Sequence, residues 1–303
     1  MNAPGQPLLA TGWSLHLPGV PVGATIAEHV GQPRGGWARE AAVPADQAAT
    51  LLGRRGLLHK EPATRLALCA VHRALGLAPG QRPDWPVTSD TAVIVASNLG
   101  NVETVARVAR TVAAEGGVAV SVLDAPNVSS NVVASVVALR FGFGGPNVMV
   151  CSGAGAGLDA LALAGLLLRA QRAERVVLVG VEPADEVAAA LHGAGTPAYP
   201  LRAGAACLVL EAWRSHGSGR ARVELVPSGG PWPRPVRVLV GRGGFDPVPL
   251  WGSCYGAQGV VGLALAAHLA VDEAHRVVGV RDDGEDGWRT ALVSSVECGA
   301  RSL

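Results

Sequence analysis

From Asn147 to Arg172 the chain reads Asn-Val-Met-Val-Cys-Ser, then Gly-Ala-Gly-Ala-Gly, then Leu-Asp-Ala-Leu-Ala-Leu-Ala-Gly-Leu-Leu-Leu-Arg-Ala-Gln-Arg. The first six residues predict a strand, and the five small residues that follow predict a tight turn. The run Leu158–Arg172 predicts a helix that is apolar almost all round, and such a helix belongs inside a fold. Another continuous apolar run, Arg175–Val181, follows directly. Strands that are apolar on both faces and alternate with helices point to an α/β protein whose sheet is covered on both sides.

The rest of the chain extends this pattern in both directions. Upstream, Pro7–Gly12 reads as a strand, followed by a Gly- and Pro-rich loop to about Trp37. Helical spacing over Glu61–Leu77 ends at Ala78-Pro79-Gly80. Thr91–Ser97 reads as a buried strand, and Ser129–Phe141 as a helix. Between them, Val102–Ala114 predicts an amphipathic helix. Its stripe of Val102, Val105, Ala106, Ala109, Val112 and Ala113 lies opposite Glu103, Arg107 and Arg110. Downstream, Ala205–Ala212 is a strand, and Arg214–Pro235, rich in Gly, Ser and Pro, is the one candidate internal boundary. Beyond it come strands at Val236–Val240, Arg276–Val280 and Thr290–Val296 and an apolar helix at Val260–Ala270. The organisation expected is a first half over residues 1–214 and a smaller second half over 217–303.

Composition narrows the function. Of 303 residues, 49% are hydrophobic and 16% charged, which excludes a disordered chain. A net charge of +1 lacks the basic excess of a nucleic-acid binder. The five cysteines, Cys69, Cys151, Cys207, Cys254 and Cys298, are dispersed, and the histidines show no HxxxH or HxH spacing. Neither a disulfide framework nor a metal site is expected. With no leader-like N-terminus and no apolar run long enough to cross a bilayer, the expected location is the cytoplasm.

Two motif readings fail on spacing. Gly153, Gly155 and Gly157 form GxGxG, not the GxGxxG of a dinucleotide site, so close strand–helix packing is the better account. Cys151 and Ser152 stand where a strand gives way to a helix, a suitable place for a nucleophile, but no histidine is placed by the sequence to act as base. His268, inside an apolar helix, reads as a core or edge residue.

Several stretches in order resemble the β-ketoacyl synthases. Asn131-Val132-Val133-Ala134 through Gly145-Pro146-Asn147 looks like that family's approach to its active site. Val150–Ala164 resembles its nucleophile elbow, commonly VDTACASSLxAL. Arg175–Glu182, Gly204–Glu211, Thr11-Gly12, Val93–Gly100 and Gly252–Gly259 are similar to further family segments. The likeness runs from about residue 7 to 212 and is patchy after that. It implies a thiolase-like fold of two similar halves, layered αβαβα, with the second half shortened.

The departures from the family pattern carry the functional expectation. Aligned through Leu158 and Ala160, the family's cysteine falls on Ala154. Its two histidines fall near Gly241 or Arg242 and on Ser253, and the glutamate of its GEG motif on Ala203. Without a thiolate there is no covalent capture of an acyl group. A ketosynthase-like chain lacking its nucleophile resembles the chain length factors of type II polyketide synthases. The resemblance implies a non-catalytic subunit with no cofactor, paired with an active ketosynthase that an acyl carrier protein serves. It also implies a dimer interface along Asn147, Val148, Met149, Val150, Cys151 and Ser152. Val102, Val105, Ala109 and Val112 would close the product tunnel, although the same stripe also suits core packing. Their small side chains favour a reduced or polyene product. The alternative is an acyltransferase or thioesterase of this fold using Cys151 or Ser152.

Overall fold

The computed structural model describes residues 6–31, 42–195, 197–213, 221–272, 277–285 and 287–296. Its strands are β1 (Leu8–His16), β2 (Thr91–Ala96), β3 (Asn147–Val150), β4 (Arg175–Glu182), β5 (Gly204–Ala212), β6 (Ala221–Val226), β7 (Val238–Val240), β8 (Val277–Gly284) and β9 (Gly287–Ser295). The α-helices are α1 (Val22–His29), α2 (Ala49–Leu52), α3 (Pro62–Ala74), α4 (Val102–Glu115), α5 (Val132–Phe141), α6 (Ala156–Arg169), α7 (Glu186–Ala194), α8 (Val248–Trp251) and α9 (Gln258–Asp272).

The strands form one sheet in the order β3-β2-β4-β5-β1-β6-β9-β8-β7. The pairs β3/β2, β2/β4 and β7/β8 are parallel, and the others antiparallel. Strand β2 is buried throughout, and β4 from Val176 onward, because both their faces are covered. On one face, Val93, Val95, Val177 and Val179 meet Leu66, Ala70, Val133 and Val137 of α3 and α5. On the other, Ile94, Leu178, Leu208 and Leu210 meet Leu158, Leu161, Val260 and Ala264 of α6 and α9. The same two helices also pack on Val223, Val278, Val280, Ala291 and Val293 from the far side of the sheet. They therefore form a middle layer between its two parts, which is the thiolase-like arrangement.

Four of the five expected layers are present as helices or sheet. On the outer face of β6–β9–β8, among the described residues, a loop rather than a helix carries Trp232 and Val236 against Val226, Val277 and Leu292. That face can dispense with a helix because its side chains are largely polar. Arg222 and Arg234 flank Glu224, and the Arg281 guanidinium lies 3.9 Å from the Trp288 ring centroid.

Several expected bounds shift. The stretch read as a boundary, Arg214–Pro235, contains β6, the strand that joins the two parts through Leu8–Ala10 of β1. The break expected between residues 214 and 217 lies outside the described residues. The Gly- and Pro-rich loop after β1 contains α1, which buries only Ile26 and so shows no clear period. Strand β3 stops at Val150, leaving Cys151 and Ser152 exposed beyond it, and α6 starts two residues early and ends at Arg169.

Candidate functional site

The elbow after β3 turns on Gly153, whose φ of +71° suits glycine. A single 3-10 turn, Gly153–Gly155, then leads into α6. Helices α6 and α9 begin side by side because glycines let their backbones touch. A Cβ on Gly157 would lie 2.7 Å from both Gly259 Cα and Val260 N.

Polar bonds fix the elbow from below. Asn98 Nδ2 donates to the Gly153 carbonyl (2.9 Å), and the Gly153 N–H donates to Asn98 Oδ1 (3.0 Å). Fully buried Glu182, at the end of β4, accepts from the N–H groups of Asn98 (2.8 Å) and Leu99 (3.0 Å) and from Ser97 Oγ (3.0 Å). Burial pushes its carboxyl up to about 7, against these donors, which favour the ionised form.

Ala154 sits in this elbow and lines a cavity of about 200 Å³. Arg242 and Ser253, from two distant stretches, line the same cavity, with Tyr255, Gln258 and Asp282. The three positions that the resemblance matches to a cysteine and two histidines thus meet at one place, carrying a methyl, a guanidinium and a hydroxyl. The cavity walls hold no thiol and no imidazole among the described residues. Arg242 reaches Asp283 (3.1 Å), and Ser253 Oγ accepts the Tyr255 N–H (3.1 Å). Ala203 lies apart, against the outer helical core.

Asp282 could not be singled out from the sequence, where it lies in Asp-Asp-Gly-Glu between the expected strands Arg276–Val280 and Thr290–Val296. Its side chain is 4% exposed, Oδ2 has no hydrogen-bond partner, and a Cβ on Gly259 would strike that oxygen. Burial, then the negative charge of Asp283, push its carboxyl up to about 8.

Neither alternative nucleophile is activated. Cys151 is exposed as a residue, but the protein around its sulfur partly removes water from it, and this, with the charge of Glu182 second, raises the thiol, so thiolate is scarce. Ser152 Oγ donates to Asp159 Oδ2 (2.6 Å), and that carboxylate is also paired with Arg289. A serine bonded to a carboxylate without an imidazole has no general base of the usual kind.

Strand β3 is an edge strand, parallel to β2 on one side only. Asn147 is exposed, and Val148, Met149 and Val150 are half-buried. On α4 only Thr104 is buried, while Val105 and Val112 are 43% and 46% exposed. The stripe Val105, Ala109, Val112 faces away from the core, so packing within this chain does not account for it; Val102 is half-buried. Val118, Val122 and Leu123, which follow α4, are exposed too.

The family model for the β-ketoacyl synthase N-terminal domain matches residues 21–196, more than half of the chain. Comparison with curated proteins returns no match. Among solved structures, the chain is similar to a chain of the ishigamide ketosynthase/chain length factor, with a TM-score of 0.71 and 20% identity, over 95% of this chain and 99% of that one. It is similar as well to a chain of AntDE:AntF, a type II PKS acyl-carrier protein in complex with its ketosynthase bound to the hexaketide. There the TM-score is 0.71 and the identity 14%, over 96% of this chain and 99% of that one. At these identities the likeness shows the fold. No helix among the described residues is long and apolar enough to cross a membrane.

Proposed function

The chain belongs to the β-ketoacyl synthase family, and from that premise we propose that it is a non-catalytic chain length factor, the partner of an active ketosynthase in a type II polyketide synthase. The observation that carries this reading is the methyl of Ala154 at the elbow, in a cavity whose described walls offer neither thiol nor imidazole. Capturing an acyl group from a thioester needs a nucleophile, and releasing carbon dioxide from a malonyl unit needs groups that stabilise the resulting carbanion. Among its described walls this cavity supplies no thiol for that capture.

The surface supports an assembly. An open edge strand invites pairing with another strand, and the exposed apolar residues of α4 and residues 118–123 offer further apolar surface. In this reading β3 pairs across the heterodimer, and Val102, Val105, Ala109 and Val112 wall the end of the product tunnel, whose small side chains suit a reduced or polyene chain. The acyl carrier protein delivers to the ketosynthase partner.

Intact-mass analysis after incubation with an acylated carrier protein tests the proposal, run on the chain alone and mixed with a ketosynthase. We expect acyl mass on the ketosynthase and none on this chain. A stable adduct on Cys151 or Ser152 would overturn the reading in favour of an acyl-transfer enzyme.

A further inference from the structure

The β8–β9 hairpin lies across the elbow. Its turn residue Glu285 rests on Gly153, where a Cβ would collide with the carboxylate, and accepts the Tyr255 hydroxyl (3.1 Å). Arg289 of β9 lies over Gly155 and pairs with Asp159 of α6. Asp282, directly opposite Arg289 in the hairpin register, turns inward from β8 onto the first turn of α9. The hairpin thus forms one wall of the cavity at Ala154, and the buried Asp282 carboxyl lies in the seam between hairpin and helices.

We infer that this hairpin is a proton-held cover: it stays seated on the elbow while Asp282 keeps its proton, and loosens when that proton is lost, opening the cavity at Ala154 to solvent.

The charges around the seam support this direction. The charges that act on Asp282 are Asp283 on its own strand, Arg289 from β9 and Asp159 from α6. Arg289 is engaged with Asp159, while Asp283 holds Arg242 and Arg281. Glu285 and Tyr255 are bonded to each other at the hairpin turn, and Glu182 lies beneath the elbow. An ionised Asp282 would be a buried anion beside two others whose cations are already engaged. It regains hydration only if the hairpin lifts.

The sign follows from linkage. The seated carboxyl has its pKa raised to about 8, whereas in a lifted, solvated hairpin it returns towards 3.8. The seated state is therefore favoured most at acidic pH, and its advantage is lost progressively from about pH 4 to about pH 8. Above that the opening equilibrium levels off.

Amide hydrogen exchange on the whole chain, alone or with its partner, tests the inference, with intrinsic pH dependence divided out. In the wild type, opening of peptides spanning 150–158 and 282–290 should rise at least tenfold between pH 5.5 and 8, while α3 stays flat. In Asp282→Asn the same peptides should change less than twofold. Glu285→Gln, which alters only the exposed tip, should raise exchange there without removing the pH dependence. A wild-type profile flat from pH 5.5 to 8 overturns the inference, even if Asp282→Asn fails to fold. So does an Asp282→Asn profile that rises as the wild type does.

Discussion

Substituting Gly157 by alanine should force apart the two helices of the middle layer. The added Cβ would stand 2.7 Å from Gly259 Cα and 2.7 Å from Val260 N, against roughly 3.5–4.0 Å for comfortable contact between carbon atoms. Both obstructing atoms are backbone and cannot rotate away, so α6 and α9 must separate by close to an ångström. That separation loosens Leu158 and Leu161 from Val260 and Val261, all fully buried. Overpacking of this kind typically costs about 1–3 kcal/mol. The alanine gains back at most about 1 kcal/mol of helix propensity, which leaves a net loss of up to about 2 kcal/mol. Gly165, in the same helix, is the matched control. Its Cβ would meet chiefly the exposed Arg169 guanidinium at 2.9 Å, which can swing aside, and Leu8 at an ordinary 3.9 Å. Urea unfolding followed by circular dichroism should show Gly157→Ala shifted to lower denaturant and Gly165→Ala unchanged or shifted higher. If Gly157→Ala matches the wild type, or both variants lose equally, the close backbone approach is not what selects glycine here.

Four further outcomes are expected. Glu182 and Asp282 both have raised pKa values, so unfolding free energy should fall from pH 5 towards pH 8, by up to about 1.4 kcal/mol per pH unit for each carboxyl; a thermal melt that rises over that range contradicts this. Val105→Asp with Val112→Asp should leave the melting temperature within about 2 °C, because surface changes are usually worth under about 0.5 kcal/mol, yet abolish co-elution with a ketosynthase in gel filtration. Ala109→Phe, on the same exposed face, should keep the pair intact and shorten the product, read by mass spectrometry. Ala154→Cys should not make a condensing enzyme, since its cavity still lacks an imidazole among the described residues; a β-ketoacyl product formed from acyl and malonyl thioesters would refute that.

The middle of the first half was legible because burial on both faces leaves a plain mark: Thr91–Ala96, Arg175–Glu182 and Gly204–Ala212 are runs with almost no polar interruption. Strand β6 was lost inside a Gly- and Pro-rich stretch. Its alternation of Ala221 and Val223 with Arg222 and Glu224 spans only six residues, and Glu224 pairs with Arg222 and with Arg234 from the following loop. Ala154, Ser253 and Arg242 were found through family resemblance; only the fold brings them to one cavity. Asp282 and Asn98 were out of reach. A carboxylate's burial is set by what covers it, here Gly259 and the hairpin partner Arg289, and the local sequence does not state either.

Strand β1 lies in the interior of the sheet although it comes first in sequence among the described strands, with β5 on one side and β6 on the other. Its partners are about 200 residues away: Leu8 pairs with Ala212 and with Val223. At a synthesis rate of about 5–20 residues per second, the ribosome delivers those partners roughly 10–40 s after β1 emerges. Until then Leu8, Leu9, Trp13 and Leu15, all buried in the finished fold, have no strand to pair with. Pairing across so long a loop is slow even once both ends exist. Over that interval the apolar β1 segment stays uncovered, a topology that favours chaperone capture or slow expression at low temperature. Deleting residues 1–16 would remove the strand that the two parts of the sheet share.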